Sequence, residues 1–168
     1  MSDACGSNDV INDVINDVMT VRPTDLLGVW QLQRRLVDRR AGRFGHVSGW
    51  LELTLVGSVV HWLELGELAW GGGVFEVTRE LHIVADGAGW QVRFADGRPF
   101  HPWRPGEVVE HPCRDDVYRG LVRVDPARTR LRVLWDVTGP AKDQRIVTRC
   151  ARSLSPEGPA RRGIRRPA

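Results

Sequence analysis

Lysine is almost missing from this chain. Of its 24 basic side chains only Lys142 is a lysine, and the excess of Arg, with abundant Ala, Gly and Val, reads as the mark of a GC-rich coding sequence rather than of a mechanism. Cysteine is scarce as well. Cys5, Cys113 and Cys150 are three in number with no C-x-x-C spacing, which speaks against a disulfide framework and a zinc ribbon and suits a reducing compartment. No stretch approaches the roughly 18 consecutive apolar residues of a membrane span, and no basic start precedes an apolar run of signal-peptide length. The expectation is a cytoplasmic protein without a membrane span. Clustered charge is absent from the body too. The formal net charge of +3 equals the excess of Arg161, Arg162, Arg165 and Arg166 over Glu157 in the last residues, so the rest is balanced and offers no basic face of the kind nucleic acid requires. The tail itself reads as a solvated Pro/Gly/Arg-rich end.

What is present is an ordinary globular composition, 42% hydrophobic and 27% charged with seven Trp in 168 residues. That length fits one domain with one core. Residues 8–19 repeat Asn-Asp-Val-Ile/Met with a period of four. Asn, Asp and β-branched residues are poor helix formers, so residues 1–22 read as a flexible leader or short amphipathic helix. The domain spans 23–153, and 154–168 is a disordered basic tail.

Pro23-Thr24-Asp25-Leu26-Leu27-Gly28 has the form of one helical turn, after which the period becomes two. Trp30, Leu32, Arg34 and Leu36 share one parity, with Gln31, Gln33 and Arg35 on the other, as in a strand with one face on a core. Val47, Leu51, Leu53 and Leu55 continue the pattern, then Val59–Leu65, then Phe75, Val77, Arg79, Leu81 and Ile83. Asp86-Gly87 turns into Trp90, Val92 and Phe94. The Pro-rich stretch through Pro105 reads as the longest irregular connection of the body, and such loops often sit at a site mouth. Strands return at Val108–Cys113, Tyr118–Val124, Leu131–Val137 and Arg145–Ser153. With no helix long enough to be a crossover, the fold class is all-β: a single antiparallel up-and-down β-barrel of about nine strands with a short N-terminal helical turn.

Gly28-Val29-Trp30 resembles the G-x-W that opens the first strand of lipocalins and other calycins. The wider pattern is Leu27-Gly28-x-Trp30, Ala95-Asp96-Gly97-Arg98-Pro99-Phe100-His101, His111-Pro112-Cys113 with Asp116 and Tyr118, and Trp135-x-Val137-Thr138-Gly139-Pro140 with Lys142-Asp143 and Arg145-Ile146. Over about Leu26 to Arg152 it resembles the uncharacterised family called domain of unknown function 6314, regarded as lipocalin-like. That resemblance implies the barrel and brings no activity with it. It also implies that Trp30 packs under an arginine of the last strand, Arg149 or Arg152.

Chemistry has few places to live. Arg34 and Arg79 fall at inward parity on apolar strand faces, and a guanidinium inside a barrel needs an anion because its desolvation costs several kcal/mol or more. Either a ligand carboxylate or phosphate faces them, held bidentately, or Glu52, Glu64 or Glu67 does. His111 and Cys113 could give a metal two ligands from one strand face, but the third is left to His101, Asp115 or Asp116. Structural or ligand-lining roles suit these side chains better, and no metal or cofactor is expected. Tyr118 and Trp135 have inward parity and serve as core aromatics or stacking surfaces. No nucleophile elbow, P-loop, zincin helix or dinucleotide fingerprint occurs. The expected function is binding of a small apolar or amphipathic ligand with an anionic group by Arg34, Arg79, His101, His111, Tyr118 and Trp135. The alternatives are an isomerase or hydrolase with His101 or His111 as base beside Tyr118, and a haem or metal carrier.

Overall fold

The alternating segments pair into ten antiparallel strands in a computed structural model that describes residues 21–87 and 89–153. Residues 1–20 of the leader, Cys5 among them, and the basic tail lie outside those residues. A 3-10 turn at Pro23–Leu26 leads into β1 (Gly28–Asp38), β2 (Arg43–Val56), β3 (Val59–Trp70), β4 (Gly73–Asp86) and β5 (Gly89–Phe94). Then come β6 (Pro99–Pro102), β7 (Val108–Cys113), β8 (Asp116–Val124), β9 (Arg130–Gly139) and β10 (Lys142–Arg152). The sheet order is β6-β5-β4-β3-β2-β1-β10-β9-β8-β7. Every neighbour along the chain therefore pairs except β6 with β7, and the first and last strands close on each other from Trp30↔Arg152 to Asp38↔Gln144. The result is an up-and-down barrel, nearly closed, with its one unladdered seam between β6 and β7.

The count exceeds the expected nine by β6, which sequence reading takes for part of an irregular Pro-rich connection. Pro lacks the N–H that an interior ladder needs but is tolerated on an edge strand. β6 is such an edge: its ladder runs to β5 alone, with a register shift after Val92.

Parity decides the interior. Trp30, Leu32, Leu51, Leu53, Val60, Trp62, Leu81, Ile83, Leu131 and Val133 are all buried in one core. Leu55, grouped with the inward set by its spacing, is 48% exposed; it lies two residues beyond Leu53, where the ladder of β1 with β2 ends.

The β1 entrance explains the G-x-W. Gly28 has φ +127°, a conformation that costs a residue with Cβ, and an added Cβ would press on the Arg152 guanidinium at 3.1 Å. Trp30 is fully buried, donates from Nε1 to the Leu26 carbonyl at 2.9 Å, and carries Arg152 over its ring at 4.4 Å. Of the two arginines named for this position, Arg149 is exposed and Arg152 takes it.

Candidate functional site

Two groups of side chains meet inside the barrel. The first is charged. Inward parity on β1, β3 and β4 aims Arg34, Glu64 and Arg79 at one point, and the register sets Glu64 opposite Arg79. Glu64 Oε2 accepts from Arg34 Nη2 at 2.7 Å, and Oε1 accepts from Arg79 Nη2 at 2.5 Å and Trp62 Nε1 at 2.9 Å. Arg34 Nε donates to Thr148 Oγ1 at 2.7 Å. Of the three candidate carboxylates Glu64 is the partner; Glu52 and Glu67 sit at outward parity on β2 and β3. Their parity was readable in advance, since Glu64 shares its face with Val60 and Trp62.

Burial would push the Glu64 carboxyl up, but the Arg79 and Arg34 cations hold it below its ordinary value. Burial, joined by Arg79, pushes the Arg34 guanidinium down against the pull of Glu64. With the carboxylate ionised, the cluster carries one cation in excess. The two arginines are not equivalent. The Arg34 side chain is 12% exposed and the Arg79 side chain 34%, and Arg79 Nε is buried without an acceptor. Among the described residues one other side-chain atom shares that condition, Arg93 Nε, on the outward face of β5.

The second group is aromatic. Phe100 of β6 lies 4.7 Å from Phe94, 4.9 Å from His111 and 4.7 Å from His101 between ring centroids, and stacks on Trp135 at 5.0 Å and 20°. Tyr118 completes the group at 6.1 Å from His111 and 6.5 Å from Trp135. Rings thus bridge the β6–β7 seam where ladder hydrogen bonds do not. Gly120 lies opposite Trp135, and a Cβ there would run into its ring. His101, Tyr118, His111 and Trp135, singled out separately in the sequence, therefore adjoin one another, through a phenylalanine that was not.

His101 is 5% exposed. Its Nδ1 lies 2.8 Å from the Pro102 carbonyl. A carbonyl only accepts, so Nδ1 carries the proton and Nε2 keeps its lone pair. Burial lowers the His101 pKa, opposed by that hydrogen bond and aided by Arg79 and His111. Arg79, His101, Phe100, Trp135, Trp62 and Trp103 line a cavity of about 20 Å³ between the two groups. That is space for about one water.

The remaining neighbours are a lysine and an acid. Lys142 Nζ donates to Asp116 Oδ2 at 2.5 Å and to Tyr118 Oη at 3.4 Å, and these bonds raise its pKa. Both residues fall in the family-like motifs, and their meeting depends on the β8–β9–β10 register. Cys113 is exposed, and among the described residues it forms no three-donor group with His111 and His101.

An antiparallel barrel with a charged cluster and a ring-lined cavity at its seam is the class these features define. The chain belongs to the family of unknown function DUF6314, whose model matches residues 26–152. No curated protein matches it.

Proposed function

We propose that the barrel binds a small amphipathic molecule whose anionic group docks on Arg79 and whose apolar part lies among Phe100, Trp103 and Trp135, in the manner of a lipocalin-like carrier. The carrying observation is the Arg79 Nε, buried without an acceptor beside a cavity, in a cluster with one cation more than anions. A buried donor left unanswered costs about 1–3 kcal/mol, which a ligand carboxylate or phosphate would recover. Arg34 has the supporting part: its bonds to Glu64 and Thr148 hold the carboxylate that orients Arg79. A cavity of about 20 Å³ admits a ligand of more than a few atoms only if the rings at the seam move apart. Thermal melts with a series of carboxylates from acetate to oleate test this reading. Wild type gains stability from at least one member, with the preferred chain length reporting how far the seam opens, and Arg79→Met gains nothing. A wild type indifferent to every anion in the series overturns the proposal.

A second reading, a barrel hydrolase or isomerase, is favoured by the His101 tautomer, which presents an unprotonated Nε2 in a buried, cavity-lining ring. A pKa below the ordinary 6.5 leaves such a base unprotonated at neutral pH. Turnover of a carboxylic ester that disappears in His101→Gln while ligand-induced stabilisation persists would favour it over simple binding.

A further inference from the structure

The outer face of β3 and β4 carries a group that the interior reading does not use. His61 and His82 stand directly opposite each other in the ladder, and their rings lie 4.5 Å apart at 58°. Glu80, two residues before His82, shares their face because residues two apart on a strand point the same way. Its Oε1 lies 3.1 Å from His82 Nε2 and 3.5 Å from His61 Nδ1. One ligand atom from each side chain falls within 4.8 Å of the other two. The imidazoles thus turn their nitrogens toward one carboxylate oxygen, on two strands whose spacing is held by a continuous ladder from Val60↔Ile83 to Trp70↔Gly73.

We propose that His61, Glu80 and His82 form a binding site for one divalent transition-metal ion of the zinc class. Two imidazoles and a carboxylate suit zinc and its neighbours and do not suit magnesium or calcium, which take oxygen ligands. Metal–nitrogen distances of about 2.0–2.1 Å require His82 to turn a lone pair rather than an N–H toward the ion, by taking the other tautomer, and the three side chains to close by rotation about their own χ angles. The rings are half-buried and Glu80 is exposed, so that rotation meets little packing. Thr54 flanks His61 on β2 and Arg93 flanks His82 on β5. Arg93 Nη1 is held by the Gly97 carbonyl at 3.2 Å, which anchors one arm of its cation at the neighbouring turn. Three protein ligands leave the fourth position open to water or an external donor, the arrangement of an exchangeable rather than a sealed structural site.

Titration of zinc chloride into metal-stripped full-length protein by calorimetry tests the site. The expected result is one zinc per chain and a rise in Tm, since an ion that bridges two strands binds the folded state alone. His61→Gln and His82→Gln weaken binding at least about tenfold and remove the rise, whereas Cys113→Ser and Arg79→Met leave both unchanged, which separates this site from the cysteine and from the interior cluster. In the wild type, zinc protects His61 and His82 from diethyl pyrocarbonate, mapped by peptide mass, a readout that needs no variant to fold. Absence of zinc binding by the wild type, or equal binding by both histidine variants with no protection of those rings, overturns the proposal.

Discussion

Two arginines of the barrel play opposite parts in the same architecture. Arg152 has all three guanidinium nitrogens engaged: Nε donates to the Arg128 carbonyl at 3.0 Å, Nη1 to Leu27 at 2.7 Å and Nη2 to Asp25 at 3.3 Å, with Trp30 beneath. It ties the first strand, the last strand and the 3-10 turn together. Among the described residues Arg79 has one partner, Glu64, already shared with Arg34, and a buried nitrogen with none. An arginine answered by backbone carbonyls belongs to the fold, because any other acceptor would have to displace one of them. An arginine with an unanswered donor next to a cavity is where an outside acceptor gains most.

Removing the shared anion gives the largest expected change. Glu64→Leu leaves two inward guanidiniums facing each other without a counter-charge and should lower stability by about 3–5 kcal/mol, read from urea unfolding. Retention of wild-type stability would mean that the arginines swing to solvent and that the cluster is not a unit. Trp30→Ala, beneath Arg152, should lose a similar ~3–5 kcal/mol through the cavity it leaves. A smaller loss there would break the comparison by showing that Arg152 does not need the ring.

The two arginines that share Glu64 should then separate. Arg34→Met removes the better-buried partner and the Thr148 bond, at a cost on the order of 3 kcal/mol. Arg79→Met leaves Glu64 paired with Arg34 and removes a third-exposed side chain with an unmet donor, so its effect should stay within about 1 kcal/mol. Equal losses in the two would assign both to the core.

Acid exposes the same cluster more gently. The folded Glu64 carboxyl lies below its ordinary 4.5, so its contribution is complete above that value and is lost as pH falls through the lower folded pKa. Glu64→Gln should therefore flatten the acid limb of a Tm-against-pH curve, and an unchanged limb would place the acid sensitivity elsewhere. The smallest signal is chemical. Burial pushes the Cys150 thiol up to about 12, so native iodoacetamide labelling mapped by peptide mass should modify exposed Cys113 and spare Cys150. Rapid labelling of Cys150 would show that the barrel wall opens readily between β1 and β9.

Much of the wall was legible because strand parity is a local property. Trp30, Leu32 and Arg34 had to face one way and Gln31 and Gln33 the other, whatever lay across from them. The inward placement of Arg34 and Arg79 follows from that parity alone. β6 was not legible, since its two prolines read as a loop until an edge position makes them tolerable.

Sequence by itself thus determined an all-β chain, a Trp-anchored first strand, and two inward-facing cations in need of an anion, because alternation and desolvation act on each residue where it stands. Only the tertiary structure decided that Glu64 answers both arginines, that the seam falls between β6 and β7, that Phe100 joins His101, His111 and Trp135, and that His61 meets His82. Each of these is a matter of register between strands, and a shift of one residue in pairing turns every side chain to the other face.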